Sequence, residues 1–172
     1  MSDGYYVDTS VIIARYKPGD ELFDDAENLF SRRGLSFYGS PLTLVELYAV
    51  LSRVWHEIDI SNQVQKELKT IVTFIVKDCG LHIAPETYAT AVEIAGQRAR
   101  IPLEYSLAYR HAETLKLRAL DLIHVCYVSI LKAVYGVSTF ITGDEEILAK
   151  SHIIREVFKI NVKHPRDILL EK

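Results

Sequence analysis

The chain carries the stretch RALDLIHVCYVSILKAVYGVSTFITGDEEIL at residues 118–148, and this stretch decides the fold. Its apolar residues recur at helical spacing as far as Tyr135, and Gly136 then ends the pattern. Residues 138–142 are mostly β-branched or aromatic, which predicts a short strand. A second helix is expected to begin near Asp144. The stretch therefore predicts a helix with Asp121 in its first turn, then a strand with Asp144 directly beyond its end.

The rest of the chain alternates short apolar strands with helices. Strands are predicted at 4–7, 35–39, 81–84 and, as an edge strand, 159–162. Helices are predicted at 11–17, 20–33, 42–55, 62–79, 86–98 and 105–115, with a final helical turn after residue 166. This alternation favours a three-layer α/β/α fold with a central, mostly parallel sheet of four or five strands. A length of 172 residues suits one well-filled core, so we expect a single domain over residues 1–172.

Composition and charge exclude several classes of protein. The formal net charge is −3, which argues against a general electrostatic nucleic-acid binder because such binding needs excess Lys and Arg. A local site remains open, since divalent cations in a carboxylate cluster would change it from repelling phosphate to attracting it. Cys79 and Cys126 lie in apolar surroundings without CxxC spacing, which favours small buried residues over a disulfide or a zinc site.

Neither a leader peptide nor a membrane span is predicted. The apolar start at residues 5–7 is broken at once by Asp8, so we expect no signal peptide and a cytoplasmic protein. The most apolar segment, residues 122–142, contains His124, Lys132 and Gly136 and changes its periodicity halfway, unlike a bilayer helix.

Four acidic residues stand out by their positions. Asp8 and Asp144 each follow a predicted strand, Asp121 lies in the first turn of an apolar helix, and Glu46 lies just beyond the first turn of another. Each has a structural alternative: Asp8 and Asp144 as helix N-caps, Asp121 as a charge favoured by the helix dipole, and Glu46 as the partner of a base such as Arg53.

Considered together, the acids favour a metal site. A parallel sheet points its strand-to-helix junctions at one edge, and three of the four acids fall at or near such junctions. Two carboxylates ~4 Å apart repel by roughly 4 kcal/mol at an effective dielectric near 20, so a cluster needs cations or shared protons. Hard oxygen ligands select Mg²⁺ or Mn²⁺ over zinc, and a pair of such ions is a common device for phosphodiester cleavage.

The acids also stand in motifs that match, in order, the four acidic motifs of PIN-domain ribonucleases. These motifs are Val7-Asp8-Thr9-Ser10, Pro41-Leu42-Thr43-Leu44-Val45-Glu46-Leu47, Leu120-Asp121-Leu122-Ile123-His124 and Phe140-Ile141-Thr142-Gly143-Asp144. Any one motif is weak alone, but four in sequence, with hydroxyls at Ser10 and Thr142, are fairly specific. The set extends over residues 7–148 and most resembles VapC-type toxins.

The resemblance implies a PIN-type fold and a metal-dependent endoribonuclease that hydrolyses RNA phosphodiester bonds with Mg²⁺ or Mn²⁺. It implies an acidic metal site, supported by two hydroxyls that orient a water or a phosphate oxygen. The acids are Asp8, Glu46, Asp121 and Asp144, and the hydroxyls are those of Ser10 and Thr142. The acids that follow strands, Asp8 and Asp144, are expected to be the most direct ligands. His124 is interpreted as a packed core histidine and has no part in this chemistry.

The same resemblance implies partners. It implies a homodimer and, if the chain is a toxin, an antitoxin protein whose basic segment covers the acidic site. Aromatic helices support association weakly, and core packing would explain them equally well: Tyr48, Trp55, Tyr105 and Tyr109. Single-stranded or looped RNA is expected to be held by nearby bases, with surface solvation as the alternative for each: Arg15, Arg53, Arg110 and Arg118.

Three other classes fit less well. A phosphatase with an aspartyl nucleophile usually begins Asp-x-Asp, and here Ser10 stands two residues after Asp8. A nucleotide-binding module is disfavoured because the chain has neither GxGxxG after Val7 nor GxxxxGK[ST]. The non-enzymatic alternative is a catalytically weak PIN-like domain that acts as an RNA-binding or scaffold module. The presence of all four acids argues against it, because their mutual repulsion would destabilise a scaffold domain without serving its function.

Overall fold

A computed structural model describes residues 4–60, 67–84 and 88–170. Within these ranges the strands are β1 Gly4–Val7, β2 Ser36–Gly39, β3 Leu81–Ile83, β4 Ala89–Ile94, β5 Gln97–Pro102, β6 Thr139–Ile141 and β7 Asn161–Lys163. The helices are α1 Thr9–Ala14, α2 Phe23–Ser31, α3 Pro41–Val54, α4 Leu68–Asp78, α5 Leu103–Leu115, α6 Ala119–Tyr135, α7 Glu145–Ala149, α8 Ser151–Phe158 and α9 Pro165–Leu170. A 3-10 turn over Trp55–Glu57 follows α3.

Five strands form one sheet in the order β3-β2-β1-β6-β7, and every neighbouring pair is parallel. The central pair, β1 and β6, is aligned so that Val7 lies beside Ile141. The predicted parallel sheet is therefore confirmed, including β7 at its edge. Because the strands are parallel, their carboxyl ends share one edge, and this edge carries the residues that follow β1 and β6.

Two hydrophobic cores cover the two faces of the sheet. Strand side chains alternate between faces, so Tyr5 and Val7 pack with α1 to α4 and α9, while Tyr6 packs with α5 to α8. Phe140 and Ile141 divide in the same way. The three-layer α/β/α architecture is confirmed, and α3 and α6, which carry two of the four acids, lie on opposite faces.

Local sequence signals account for the ends of the helices that matter most for the site. Ser40 caps α3 through a reciprocal pair of bonds with Thr43: the Ser40 Oγ accepts from the Thr43 amide at 3.3 Å, and the Ser40 amide donates to Thr43 Oγ1 at 3.0 Å. Pro41 occupies the first helical position, as predicted. At the carboxyl end of α6, Gly136 ends the helix in the left-handed conformation with a φ of 74°.

The prediction of a helix over residues 86–98 is wrong. Residues 89–102 form an antiparallel hairpin, β4 and β5, which is joined through Ala95 and Gly96, both at positive φ. The segment contains three alanines, which suit a helix. The missed signal is the alternation of Thr90, Val92 and Ile94 before Gly96, because β-branched residues at period two followed by a turn glycine are typical of a hairpin. The predicted start of this helix, Glu86, lies outside the described residues.

Several smaller predictions can also be compared with the structure. Helix α4 begins at Leu68, and the predicted beginning near Asn62 lies outside the described residues. Cys79 and Cys126 are both buried and carry free thiols, as expected. Among the described residues, no helix combines the length and the apolar character that a bilayer crossing requires.

Candidate active site

Asp8 lies at the carboxyl end of β1, at the centre of the sheet. Its amide donates to the Ile141 carbonyl at 2.9 Å, which extends the pairing of β1 with β6 and fixes the backbone at this point. Asp8 is the N-cap residue of α1, but its side chain makes no capping bond. The carboxylate instead accepts a 2.5 Å bond from the Thr142 hydroxyl. The structural alternative for Asp8, a side-chain cap, is therefore not the one that this structure adopts.

Glu46 extends from α3 towards the same edge. Its Oε2 accepts a 2.6 Å bond from the Thr9 hydroxyl and lies 2.7 Å from Nε2 of His124. Burial works to raise the pKa of Glu46, but the hydrogen bond and charge of His124 and the bond from Thr9 outweigh it, so the pKa is lowered. Glu46 is thus held as a carboxylate. Its partner is His124 on α6 and not Arg53.

His124 is buried, as predicted, but it also contacts the site. Its Nδ1 lies 2.6 Å from the Tyr6 hydroxyl, and that hydroxyl donates to Ser40 Oγ at 2.8 Å. Burial alone would lower the pKa of His124. The hydrogen bond to Glu46 and the negative charges of Asp8, Glu46 and Asp121 outweigh burial, so the pKa is raised. A chain of hydrogen bonds from Ser40 through Tyr6 and His124 therefore orients Glu46.

Thr142 and Asp144 form the second strand end. Thr142 is fully buried, and its hydroxyl donates to Asp8 while it accepts from the Asp144 amide at 3.0 Å. The Oδ1 atom of Asp144 caps α7 by accepting from the amides of Glu146 at 2.8 Å and Ile147 at 3.2 Å. Asp144 is therefore a helix cap, as its structural alternative predicted, and it also lies at the site.

Asp121 and Asp144 are joined by one guanidinium group. Arg118 Nε lies 3.2 Å from Asp121 Oδ2, and Arg118 Nη2 lies 2.8 Å from Asp144 Oδ2. Burial is the largest cause that raises the pKa of Asp121, and the charges of Asp144 and Asp8 add to it, while Arg118 opposes them. The pKa of Asp121 is raised overall, so the guanidinium offsets only part of the free-energy cost of burying this carboxylate beside other acids.

The acidic residues face an open cavity of about 610 Å³. All four predicted acids and Ser10 are on its wall, together with Lys17, Asp20 and Arg118. Ser10 is exposed and makes no hydrogen bond to an acid in the part of the chain that the structure describes. Of the four arginines considered for RNA, only Arg118 lines this cavity. Arg15 instead pairs with Glu27 and Asp78 beside α2 and α4.

The donor set fits a hard divalent cation. One potential ligand atom each from Asp8, Glu46 and His124 lies within 4.8 Å of the others. Both ring nitrogens of His124 are already hydrogen bonded, so the carboxylates of Asp8 and Glu46 are the better candidates for ligands. Two carboxylates this close need a nearby cation or proton, and their oxygens match the preference of Mg²⁺ and Mn²⁺.

Four residues contribute to this geometry without having been predicted as part of the acidic cluster; Arg118 was predicted only as a base for RNA, and His124 only as a core residue. Thr9 and Tyr6 have no signal of their own beyond their places beside Asp8. His124 stands three residues after Asp121, and Arg118 stands three residues before it, so both share a helical face with this acid. That spacing was the available signal.

Comparisons with known proteins bear on the family and the fold of the chain. The family model described as PIN domain matches residues 5–152. Among solved structures, the chain is similar to VapBC2 from Rickettsia felis bound to a DNA fragment from their promoter. The TM-score is 0.52 and the identity 12%, and the match covers 94% of this chain and 98% of the other. At that identity the similarity concerns the fold. No curated protein matches the chain. Since the family model matches residues 5–152, which is most of the chain, the protein belongs to the PIN domain family.

Proposed function

We propose that the protein is a metal-dependent endoribonuclease built as one PIN domain over residues 1–172, and that it acts as the toxin of a VapBC-type pair. The observation that carries this proposal is the convergence of Asp8 and Glu46 at the carboxyl edge of the sheet, with ligand atoms within 4.8 Å of each other. The cavity around them is open, and Asp121 and Asp144 are on its wall. A strand of RNA can enter such a cavity from solvent.

Some side chains of the site would bind the metal ion, and others fix those ligands by hydrogen bonds. Asp8 and Glu46 would hold the Mg²⁺ or Mn²⁺ ion, with Asp121 and Asp144 completing the acidic cluster. A divalent ion bound there supplies an activated water and offsets charge on the phosphate in the transition state. Thr142 fixes Asp8, while Thr9 and His124 fix Glu46. Ser10, exposed on the cavity wall, would orient a water or a phosphate oxygen.

The ion pairs of the acids favour the non-enzymatic alternative, a catalytically weak PIN-like domain that acts as an RNA-binding or scaffold module. Glu46 already has His124 as a partner, and Arg118 already pairs with Asp121 and Asp144, so part of the acidic charge is compensated within the chain. A scaffold domain could retain the acids in this way. Calorimetry that shows no Mg²⁺ or Mn²⁺ binding to the purified protein would favour the scaffold.

Nuclease activity is tested with single-stranded and looped RNA and with DNA of the same sequence. We expect cleavage of RNA in Mg²⁺ or Mn²⁺ and loss of cleavage in EDTA, because carboxylates alone provide no activated water. Equal rates for RNA and DNA in the same salt would contradict the RNA preference. Equal cleavage of RNA in EDTA and in Mg²⁺ would contradict the metal-dependent mechanism.

We further propose a homodimer and an antitoxin partner. The fold similarity to VapBC2 supports the antitoxin. The aromatic side chains considered for association are exposed and not packed in a core, which removes the alternative explanation for them: Tyr48, Trp55, Tyr105 and Tyr109. We expect a dimer at micromolar concentration in sedimentation, and a neighbouring reading frame whose small product suppresses RNA cleavage. A strict monomer contradicts the first expectation, and a product that leaves cleavage unchanged contradicts the second.

A further inference from the structure

Arg118 holds an unusual position for an exposed side chain. Its side chain is 68% exposed, yet it contacts three carboxylates at once. Besides Asp121 and Asp144, its Nε lies 3.5 Å from Oε2 of Glu146. The charges of these three acids raise the pKa of Arg118, so its positive charge is permanent. A fixed cation is therefore built into the wall of the acidic cavity.

The acidic cluster has two halves that differ in their partners. In the first half, Asp8 and Glu46 accept from the hydroxyls of Thr142 and Thr9, and Glu46 also pairs with His124. In each of these two carboxylates the second oxygen, Asp8 Oδ1 or Glu46 Oε1, has no hydrogen bond from the described residues. These oxygens remain available to a metal ion.

In the second half, Asp121 and Asp144 have the guanidinium between them. Both oxygens of Asp144 are occupied, Oδ1 by the first turn of α7 and Oδ2 by Arg118. A divalent ion that used Asp144 would have to displace the guanidinium. An ion on the other oxygen of Asp121 would meet the repulsion of a unit positive charge a few ångströms away. The guanidinium thus already supplies one positive charge to this half of the cluster.

We infer that the Arg118 guanidinium stands in the place of a second divalent cation beside Asp121 and Asp144, so that the cluster takes one ion, on Asp8 and Glu46. The inference rests on the proposed metal-dependent function, but it concerns the number of ions and not their presence. Arg118 is then a positioning residue: it holds two acids of the cluster in place and limits the metal content of the site.

The test is manganese binding to the full chain, counted by calorimetry and by the manganese EPR signal. We expect the wild type to bind about one Mn²⁺ per chain and Arg118→Gln to bind about two, because the substitution removes the competing charge and frees an oxygen of Asp144. Arg118→Lys keeps the charge and should stay near one. The control is Arg166→Gln, which removes a side chain of nearly the same exposure, 67%, and its ion pair with Asp25 outside the cavity. It should also stay near one.

The outcomes separate this inference from the proposed function. Two ions in the wild type, or one in both the wild type and Arg118→Gln, would overturn the inference and leave the nuclease proposal standing. No Mn²⁺ on the wild type would overturn both. Thermal melts in Mn²⁺ give a second readout: Arg118→Gln should gain a larger increase in melting temperature from added Mn²⁺ than Arg166→Gln gains. An equal gain in the two variants would count against the inference.

Discussion

Asp8→Asn is expected to lower the rate of RNA cleavage by more than about 100-fold, since even the supporting partners of metal ligands typically cost about 10- to 100-fold when removed. The asparagine keeps the shape of the side chain and an oxygen that can accept from Thr142. What it loses is one negative charge beside Glu46. The melting temperature in EDTA should hold or rise, because two unit charges ~5 Å apart repel by roughly 3 kcal/mol at a dielectric near 20.

The matched control is Asp25→Asn on α2. Asp25 pairs with Arg166 at 2.9 Å and does not line the cavity, so this variant should cleave RNA at the wild-type rate. Initial rates of cleavage and thermal melts would be measured for both variants. If Asp8→Asn loses stability and keeps its cleavage rate, the acid at position 8 has a structural role only.

The second large effect is expected from Tyr6→Phe, which removes one hydroxyl from the buried chain of hydrogen bonds. Burial raises the pKa of Tyr6 well above its ordinary value, so the hydroxyl stays protonated between Ser40 and His124. Its loss leaves Nδ1 of the buried His124 without its partner, which costs about 1 to 3 kcal/mol in the free energy of unfolding. It also loosens the histidine that orients Glu46, and we expect cleavage to fall by about 10- to 100-fold.

Tyr127→Phe separates these two effects. Tyr127 is also buried, on α6, and its hydroxyl donates to the Ala84 carbonyl at 2.6 Å, away from the acids. The substitution should lower stability by a similar amount and leave the cleavage rate of the folded protein unchanged. Urea unfolding and cleavage rates below the unfolding transition provide the comparison. Equal losses of cleavage in the two variants would show that Tyr6 acts only through stability.

Local sequence signals determined most of the fold. The apolar strands, the proline and serine at the start of α3 and the glycine after α6 each have a short-range cause, and the structure confirms them. The positions of Asp8 and Asp144 at one edge follow from the parallel sheet, because every strand then presents its carboxyl end to the same side. Within the described ranges, the β4–β5 hairpin was missed outright, since its alanines suit a helix and the cross-strand pairing decided otherwise.

The partners of the acids were decided by tertiary structure. Glu46 contacts Thr9, which is 37 positions away in the sequence, and His124, which is 78 positions away. His124 in turn contacts Tyr6, 118 positions away. No local pattern encodes such pairs, because each depends on how a helix packs over the sheet. Arg118 has one contact that the sequence predicts and another that only the tertiary structure creates. Its spacing from Asp121 was visible in the sequence, but its contact with Asp144, 26 positions away, exists only because α6 packs beside the end of β6.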